Sequence, residues 1–180
     1  MARADNRNHR KSLQNKPRAR RSGQSIRVEQ APNGVAWRLL HPRCALERAD
    51  DLEEVEAMID GGEAEIAMDE LRWLLGGCPD FVAAHRRLGD LALAARDVPL
   101  ARGHYGHAFR AGLTALAEVG NPRPLSAELK ENEDFFLCGQ GLAHCLRLLS
   151  KDAMADEVVQ QMINCDPSDP QRWAIRGCGK

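Results

Sequence analysis

Alanine and leucine outnumber the β-branched residues of this chain by more than three to one: 25 Ala and 21 Leu stand against 14 Val, Ile and Thr together. Residues that fit a pleated sheet are scarce while helix formers abound, so the composition predicts an all-α fold. With 180 residues, 43 % of them hydrophobic, the chain can bury one ordinary core, and its 28 % charged residues suit a solvated surface. No apolar run approaches the roughly 20 residues that span a bilayer, and the basic N-terminus leads into no apolar stretch with a small-residue cleavage site. These absences predict a soluble, cytoplasmic protein with no membrane partner. The six cysteines (Cys44, Cys78, Cys138, Cys145, Cys165 and Cys178) form no CxxC pair and no compact framework, which predicts reduced thiols, several of them small core residues.

The net charge of −1 hides an asymmetry. Met1 to Arg27 carries nine Lys or Arg against the single acid Asp5, whereas Val28 to Lys180 carries 16 basic and 25 acidic residues. A basic arm precedes an acidic body. Residues 1–30 hold few apolar side chains, so burial cannot offset the entropy of ordering them, and a disordered arm is expected. Leu13 and Ile26 stand nearly alone, which leaves no amphipathic face for an organelle transit peptide.

Beyond the arm, residues 31–47 read as a connector with a turn at Pro32-Asn33-Gly34. Helical periodicity begins near Asp50, with Leu52, Val55, Met58 and Ile59, and breaks at Gly61-Gly62. A second helix carries Ile66, Ala67, Leu71, Leu74 and Leu75, and stops at Gly76-Gly77-Cys78-Pro79. A third uses Ala84, Leu88, Leu91 and Ala92, breaks near Asp97-Val98-Pro99, and gives way to a fourth with Ala101, Tyr105, Ala108 and Phe109. Gly120-Asn121-Pro122-Arg123-Pro124 reads as a loop before a last pair, Phe136 to Leu149 and Ala153 to Ile163.

A helix pair of about 34 residues cannot bury its own apolar face and must stack on copies of itself. Leu88-Gly89, Ala101, Tyr105 and Ala108, with Asp97 at the inter-helix turn, resemble a tetratricopeptide repeat over 82–115. The same register places Gly62, Ala67, Leu71 and Pro79 in 48–81, although Glu54 stands where an apolar residue belongs, and Leu142-Ala143, Ala155, Val159 and Pro167 in 136–169. Pro79 and Pro167 are 88 residues apart, two repeats plus a 20-residue insertion at 116–135. Residues 170–177, with Trp173, resemble the start of a fourth repeat. The resemblance implies a right-handed α-α superhelix of about three helix pairs with a short C-terminal capping segment, in which Trp73, Leu88 and Leu142 are substantially buried. An irregular helical bundle with ordinary close packing at Ala101, Tyr105 and Ala108 is the alternative.

In that family the first helices of successive repeats line a concave groove for peptides or helices. Carried over, the groove positions are Ala83, Arg86, Arg87, Asp90, Leu93 and Ala94 in the second repeat and Leu137, Gln140, Gly141, His144, Arg147 and Leu148 in the third. Arg86, Arg87, Asp90, Gln140, His144 and Arg147 are the candidate partner-binding residues, and the arginines predict an acidic protein or peptide. Solvated side chains on an exposed face are the competing reading. The Lys/Asn pattern with which some family members clamp a chaperone's terminal carboxylate is absent.

No GxSxG elbow, GxxxxGK[ST] loop, GxGxxG turn after a strand or HExxH pair occurs, so no catalytic residue and no cofactor are expected. His41-x-x-Cys44, His104-x-x-His107 and His144-Cys145 fall short of four converging ligands, and no metal is expected. The function that follows is a non-catalytic interaction module or scaffold. An adaptor whose basic arm contacts nucleic acid or another acidic surface, blind to sequence, is the alternative, and the arm could equally be a solvating tail or fold back on its own body.

Overall fold

Helices form where apolar side chains recur at helical spacing, and they stop where Gly, Pro or Asp interrupts that spacing. The computed structural model describes residues 25–168. Its first long helices are α2 (Ala49–Asp60) and α3 (Ala64–Gly77), then α4 (Val82–Ala94) and α5 (Val98–Glu118), then α6 (Lys130–Leu148) and α7 (Asp152–Cys165). Three-residue turns at 61–63, 95–97 and 149–151 join the members of each pair, which short connections force to lie antiparallel. Gly62 supplies the left-handed φ of +82° that ends α2. Asp97 caps α5 by accepting the Leu100 amide at 3.0 Å, with Pro99 in the first turn. Each helix packs on its successor, and α4 also touches α6.

The described residues are mostly helical, in keeping with the expected class, with one addition: a two-stranded antiparallel sheet precedes the helices. β1 (Arg27–Gln30) pairs with β2 (Trp37–Leu40) in the register Arg27 to Leu40 and Gln30 to Trp37. The Pro32-Asn33-Gly34 turn is where the dipeptide signal put it, its Asn33 side chain accepting from the Val35 and Ala36 amides. The arm therefore ends before residue 30: Ile26 is 3 % exposed and Leu39 fully buried, both in the larger core. Their partners come from α5, α6 and the 119–129 loop, contacts that local composition does not carry. The remainder of the expected arm, residues 1–24, lies outside the described residues, as do the expected partial repeat 170–177 and Trp173.

The insertion is also shorter than its expected 116–135. α5 absorbs its first three residues and α6 begins at Lys130, leaving 119–129 between helices. That loop is tied down at both ends of the fold. Leu125 donates its amide to the Cys165 carbonyl at 2.8 Å and forms a parallel bridge with Trp37. Asn132, fully buried, accepts the Leu39 amide at 2.8 Å and donates to the carbonyls of Trp37 at 3.0 Å and Ser126 at 2.7 Å. One satisfied side chain thus joins hairpin, loop and helix.

Between β2 and α2, the short helix α1 (Arg43–Leu46) brings Cys44 against the end of α3, where it forms a disulfide with Cys78. The reading of all six cysteines as thiols is corrected for these two, because a separation of 34 residues in sequence conceals their adjacency in space. Cys138, Cys145 and Cys165 are free and buried, and Cys178 lies outside the described residues. Trp73 is a second correction. The buried stripe of α3 runs through Ala67, Leu71, Leu74 and, just past the helix, Cys78, which leaves Trp73 on the opposite side, 59 % exposed. The Arg48 guanidinium lies over its ring at 5.2 Å. Leu88 is buried as expected, at 1 % exposure, and Leu142 is half-buried.

α4, α5 and α6 meet around the ring of Tyr105 on α5. A Cβ added at Gly89 of α4 would lie 2.5 Å from that ring, and one added at Gly141 of α6 would lie 2.7 Å from its other edge. In an exposed helix a Gly to Ala change gains about 1 kcal/mol. Here Gly89→Ala is expected to lose about 1–3 kcal/mol through overpacking, read as a lower melting temperature by circular dichroism. An unchanged or raised melting temperature would show that the ring has room to shift.

Candidate functional site

The inner helices of the three pairs, α2, α4 and α6, carry a continuous ladder of charged groups. On α4, Arg87 donates from Nε to Glu56 Oε1 of α2 at 2.8 Å and from Nη2 to the same oxygen. Arg86 donates from Nη1 to Asp90 Oδ2 at 2.9 Å and from Nε to Asp134 of α6. Asp90 stands between the two arginines, with Arg87 Nη1 at 3.9 Å, and it accepts the Tyr105 hydroxyl at 2.6 Å on its other oxygen. Helical spacing explains the arrangement: Arg86 and Arg87 sit four and three residues before Asp90, on the turn below it. Burial first, and then the bond to Asp90, raise the Tyr105 phenol above its ordinary range, so it remains a donor.

The ladder brings three of the six sequence-derived candidates together, Arg86, Arg87 and Asp90. Arg147 is elsewhere engaged, donating to Asp156 of α7 at 3.1 Å. His144 is exposed and Gln140 half-buried on α6. Arg86 is only 16 % and Arg87 25 % exposed, and each is already bound to carboxylates of the fold. Glu56 and Asp134, which complete the ladder, were missed because the misplaced Glu54 obscured the register of α2 and Asp134 fell inside the supposed insertion. Beside the ladder lies a concavity of about 390 Å³ lined by Glu56, Ile59, Asp60, Arg87, Asp90, Leu91 and Ala94. Three of its lining side chains are apolar, and three of the four charged ones are acidic.

A second polar cluster joins the α3–α4 turn to α5. His85 of α4 presents Nε2 to the Pro79 carbonyl at 3.0 Å and Nδ1 to His104 Nδ1 at 3.1 Å. His107 Nε2 reaches the same carbonyl at 3.1 Å, its ring stacks on His85 with centroids 4.3 Å apart, and buried Asp80 lies 3.8 Å from it. Burial first, then repulsion from His107, push the His85 pKa from 6.5 down to about 4, and burial, Arg72 and His107 lower that of His104. A neutral His85 with its proton on Nε2 donates to Pro79, so its Nδ1 accepts from His104 Nδ1–H. His104 and His107 share a helix face as their spacing predicts; His85 was not foreseen as their partner, because it lies on another helix.

The other chemical pairs are separated or buried. His41 Nε2 lies 2.9 Å from the Glu131 carbonyl, and Cys44 belongs to the disulfide. Burial raises the thiols of Cys138, Cys145 and Cys165, which disfavours the thiolate a nucleophile needs. Among the described residues no group of three or more His, Cys, Asp or Glu is arranged to hold a metal ion. No helix among them is long and apolar enough to cross a membrane. No family model matches the chain, and no curated protein or solved structure matches it either.

Two expectations follow. Between pH 6.5 and about 4 the unfolded chain binds a proton at residue 85 that the folded chain refuses. The stability that depends on neutral His85 is therefore full above pH 6.5 and falls as the solution is acidified, by about 2 kcal/mol at pH ~5. Thermal melts at pH ~7.5 and ~5 should show the loss in the parent and a smaller one in His85→Gln; equal losses would exclude the cluster as its source. In the ladder, Arg86→Glu would place a third carboxylate beside Asp90 and Asp134, and denaturant unfolding should show a cost of about 1–2 kcal/mol, beyond that of an ordinary surface change.

Proposed function

We propose that this chain is a non-catalytic interaction module built from three tetratricopeptide-like helix pairs, 48–81, 82–115 and 136–169, which holds a protein or peptide segment on the face shared by α2, α4 and α6. The observation that carries the reading is the ion-pair ladder from Glu56 through Arg87, Asp90 and Arg86 to Asp134. It links α2, α4 and α6 through side chains on one face, as the first helices of a repeat stack would share a face, and it borders the concavity at Ile59, Leu91 and Ala94. The close approach at Gly89 and Gly141 around Tyr105 supports the same register, since small residues at the crossing points bring neighbouring helices together.

The partner that fits this face differs from the acidic one that the arginines alone suggest. Both guanidiniums are satisfied within the fold, while exposed Asp60 enters no ion pair among the described residues and three carboxylates share the two guanidiniums, so the unmatched charge is negative. Apolar side chains flanked by cations suit the concavity best. The Cys44–Cys78 disulfide belongs with oxidising surroundings and lends no support to a cytoplasmic location.

Asp60 and Ala94 are exposed and lie outside the ladder's bonds, so Asp60→Arg with Ala94→Arg should obstruct the concavity with a stability change within about 0.5 kcal/mol. Proteins captured by the full parent chain and by this variant, compared by quantitative mass spectrometry, should differ by the loss of groove ligands. An identical captured set from a variant that melts like the parent would reject the groove as the docking surface.

A further inference from the structure

We propose that the concavity between α2 and α4 receives the chain's own N-terminal segment, residues 1–24, so that the arginine-rich arm is a tethered ligand of the acidic face. This inference rests on the reading of that face as a docking surface and names its resident occupant.

The argument begins with the charge left over once the ladder is formed. Glu53, Glu56 and Asp60 follow one another at i, i+3 and i+7 on α2 and so share a face, across from Asp90 of α4 and Asp134 of α6. Five carboxylates thus meet two guanidiniums, and both guanidiniums are internally paired. Among the described residues, Glu53 and Asp60 enter no ion pair. The described body as a whole holds 14 Lys or Arg against 24 Asp or Glu, and between Glu47 and Glu70 there are 11 acids and the single base Arg48. This half of the groove wall is the most acidic part of the fold.

The matching charge lies in the same chain. Arg3, Arg7, Arg10, Lys11, Lys16, Arg18, Arg20 and Arg21 face only Asp5 within residues 1–24, an excess of seven positive charges. Reach does not limit the contact. The 24 residues extend to about 80 Å, whereas the longest helix, α5, spans about 32 Å. A tether also holds its ligand at an effective concentration of order millimolar, so even a weak, mainly electrostatic contact is populated. Arginine suits this surface further, because its stem packs on apolar groups such as Ile59, Leu91 and Ala94 while the guanidinium forks onto carboxylates. An occupied groove would oppose foreign ligands until another cation displaces the arm or a polyanion draws it away.

Zero-length carbodiimide coupling of the full chain, mapped by peptide mass spectrometry, tests the contact, because the arm supplies two lysine amines, Lys11 and Lys16. The expected products join these lysines to Glu53 and Asp60 at about 50 mM salt and fall several-fold at about 1 M. Products that are absent, or that favour Glu128 and Glu157 equally, overturn the proposal. A second measurement needs no cross-linker: Glu53→Gln with Asp60→Asn should release the arm and bind a single-stranded oligothymidine several-fold more tightly than the parent. The control Glu128→Gln with Glu157→Gln makes the same change in net charge away from the groove; if it tightens binding equally, the arm was not held there. Cross-links that avoid the groove while the obstructed variant still loses partners sink this inference alone. Cross-links at the groove with an unchanged captured set sink the docking of foreign partners and leave the arm in place.

Discussion

Tyr105 fills a slot that exists only because two helices lack a side chain where they pass it. Gly89 on α4 and Gly141 on α6 each leave their backbone open to one edge of the ring, and either Cβ would overlap it. The three helices approach one another through this ring, and its orientation is fixed at the far end by the hydroxyl bond to Asp90. A packing contact in the core thereby sets the position of a carboxylate on the surface. Arg86 and Arg87 close on that carboxylate, and through them Glu56 and Asp134 are drawn in from the helices on either side. The same device recurs one layer on, where Gly112 admits Phe135 and Gly139 admits Met162.

A second set of constraints closes the edge of the stack where α5 and α7 end and α6 begins. Asn132 is deeply buried yet has both ends of its amide matched, which makes it a fastener and spares it the cost of an unpaired polar group. Asp166, at the end of α7, accepts the Ala127 amide at 2.8 Å and so holds the other side of the 119–129 loop. The hairpin seated here leads, through α1 and the disulfide at Cys78, back to the first helix pair. The first of the described elements therefore touches later helices before the first helix pair has begun, a long-range closure around otherwise sequential contacts.

How much of this was legible in the residues depends on the range of the interaction. Gly61-Gly62, Cys78-Pro79 and Asp97-Val98-Pro99 act on their own backbone, and the helix ends they predict are where α2, α3 and α5 stop or start. Val28 pairs with Leu39 and Gln30 with Trp37 across a turn, and a basic, polar neighbourhood concealed the strand. Trp73 was expected to be buried from the family resemblance, although its helical position places it away from Leu71 and Leu74. The candidate site was half legible: Arg86, Arg87 and Asp90 were found from the repeat register, but the partners that change their meaning lie 31 and 48 residues away in sequence. Spacing names the residues on a face; it does not say which charges have already been neutralised there.

That last distinction bears on the docking proposed for this face. Half-exposed ion pairs contribute about 0–1 kcal/mol each, so a ladder of them is a minor source of stability for a core that already buries Tyr105, Phe135 and Leu88. Its larger effect is on recognition. Each arginine is held on both sides, which removes the side-chain entropy that a free arginine would lose on binding, and also removes its appetite for a foreign carboxylate. In the proposed docking an acidic ligand would have to break an existing pair for every one it made, whereas a cation meets exposed Asp60, which enters no ion pair among the described residues. In the proposed docking, internal pairing works as a filter: the arginines order the surface and the surplus carboxylates would choose the ligand, a charge opposite to the one the most conspicuous residues of the face suggest.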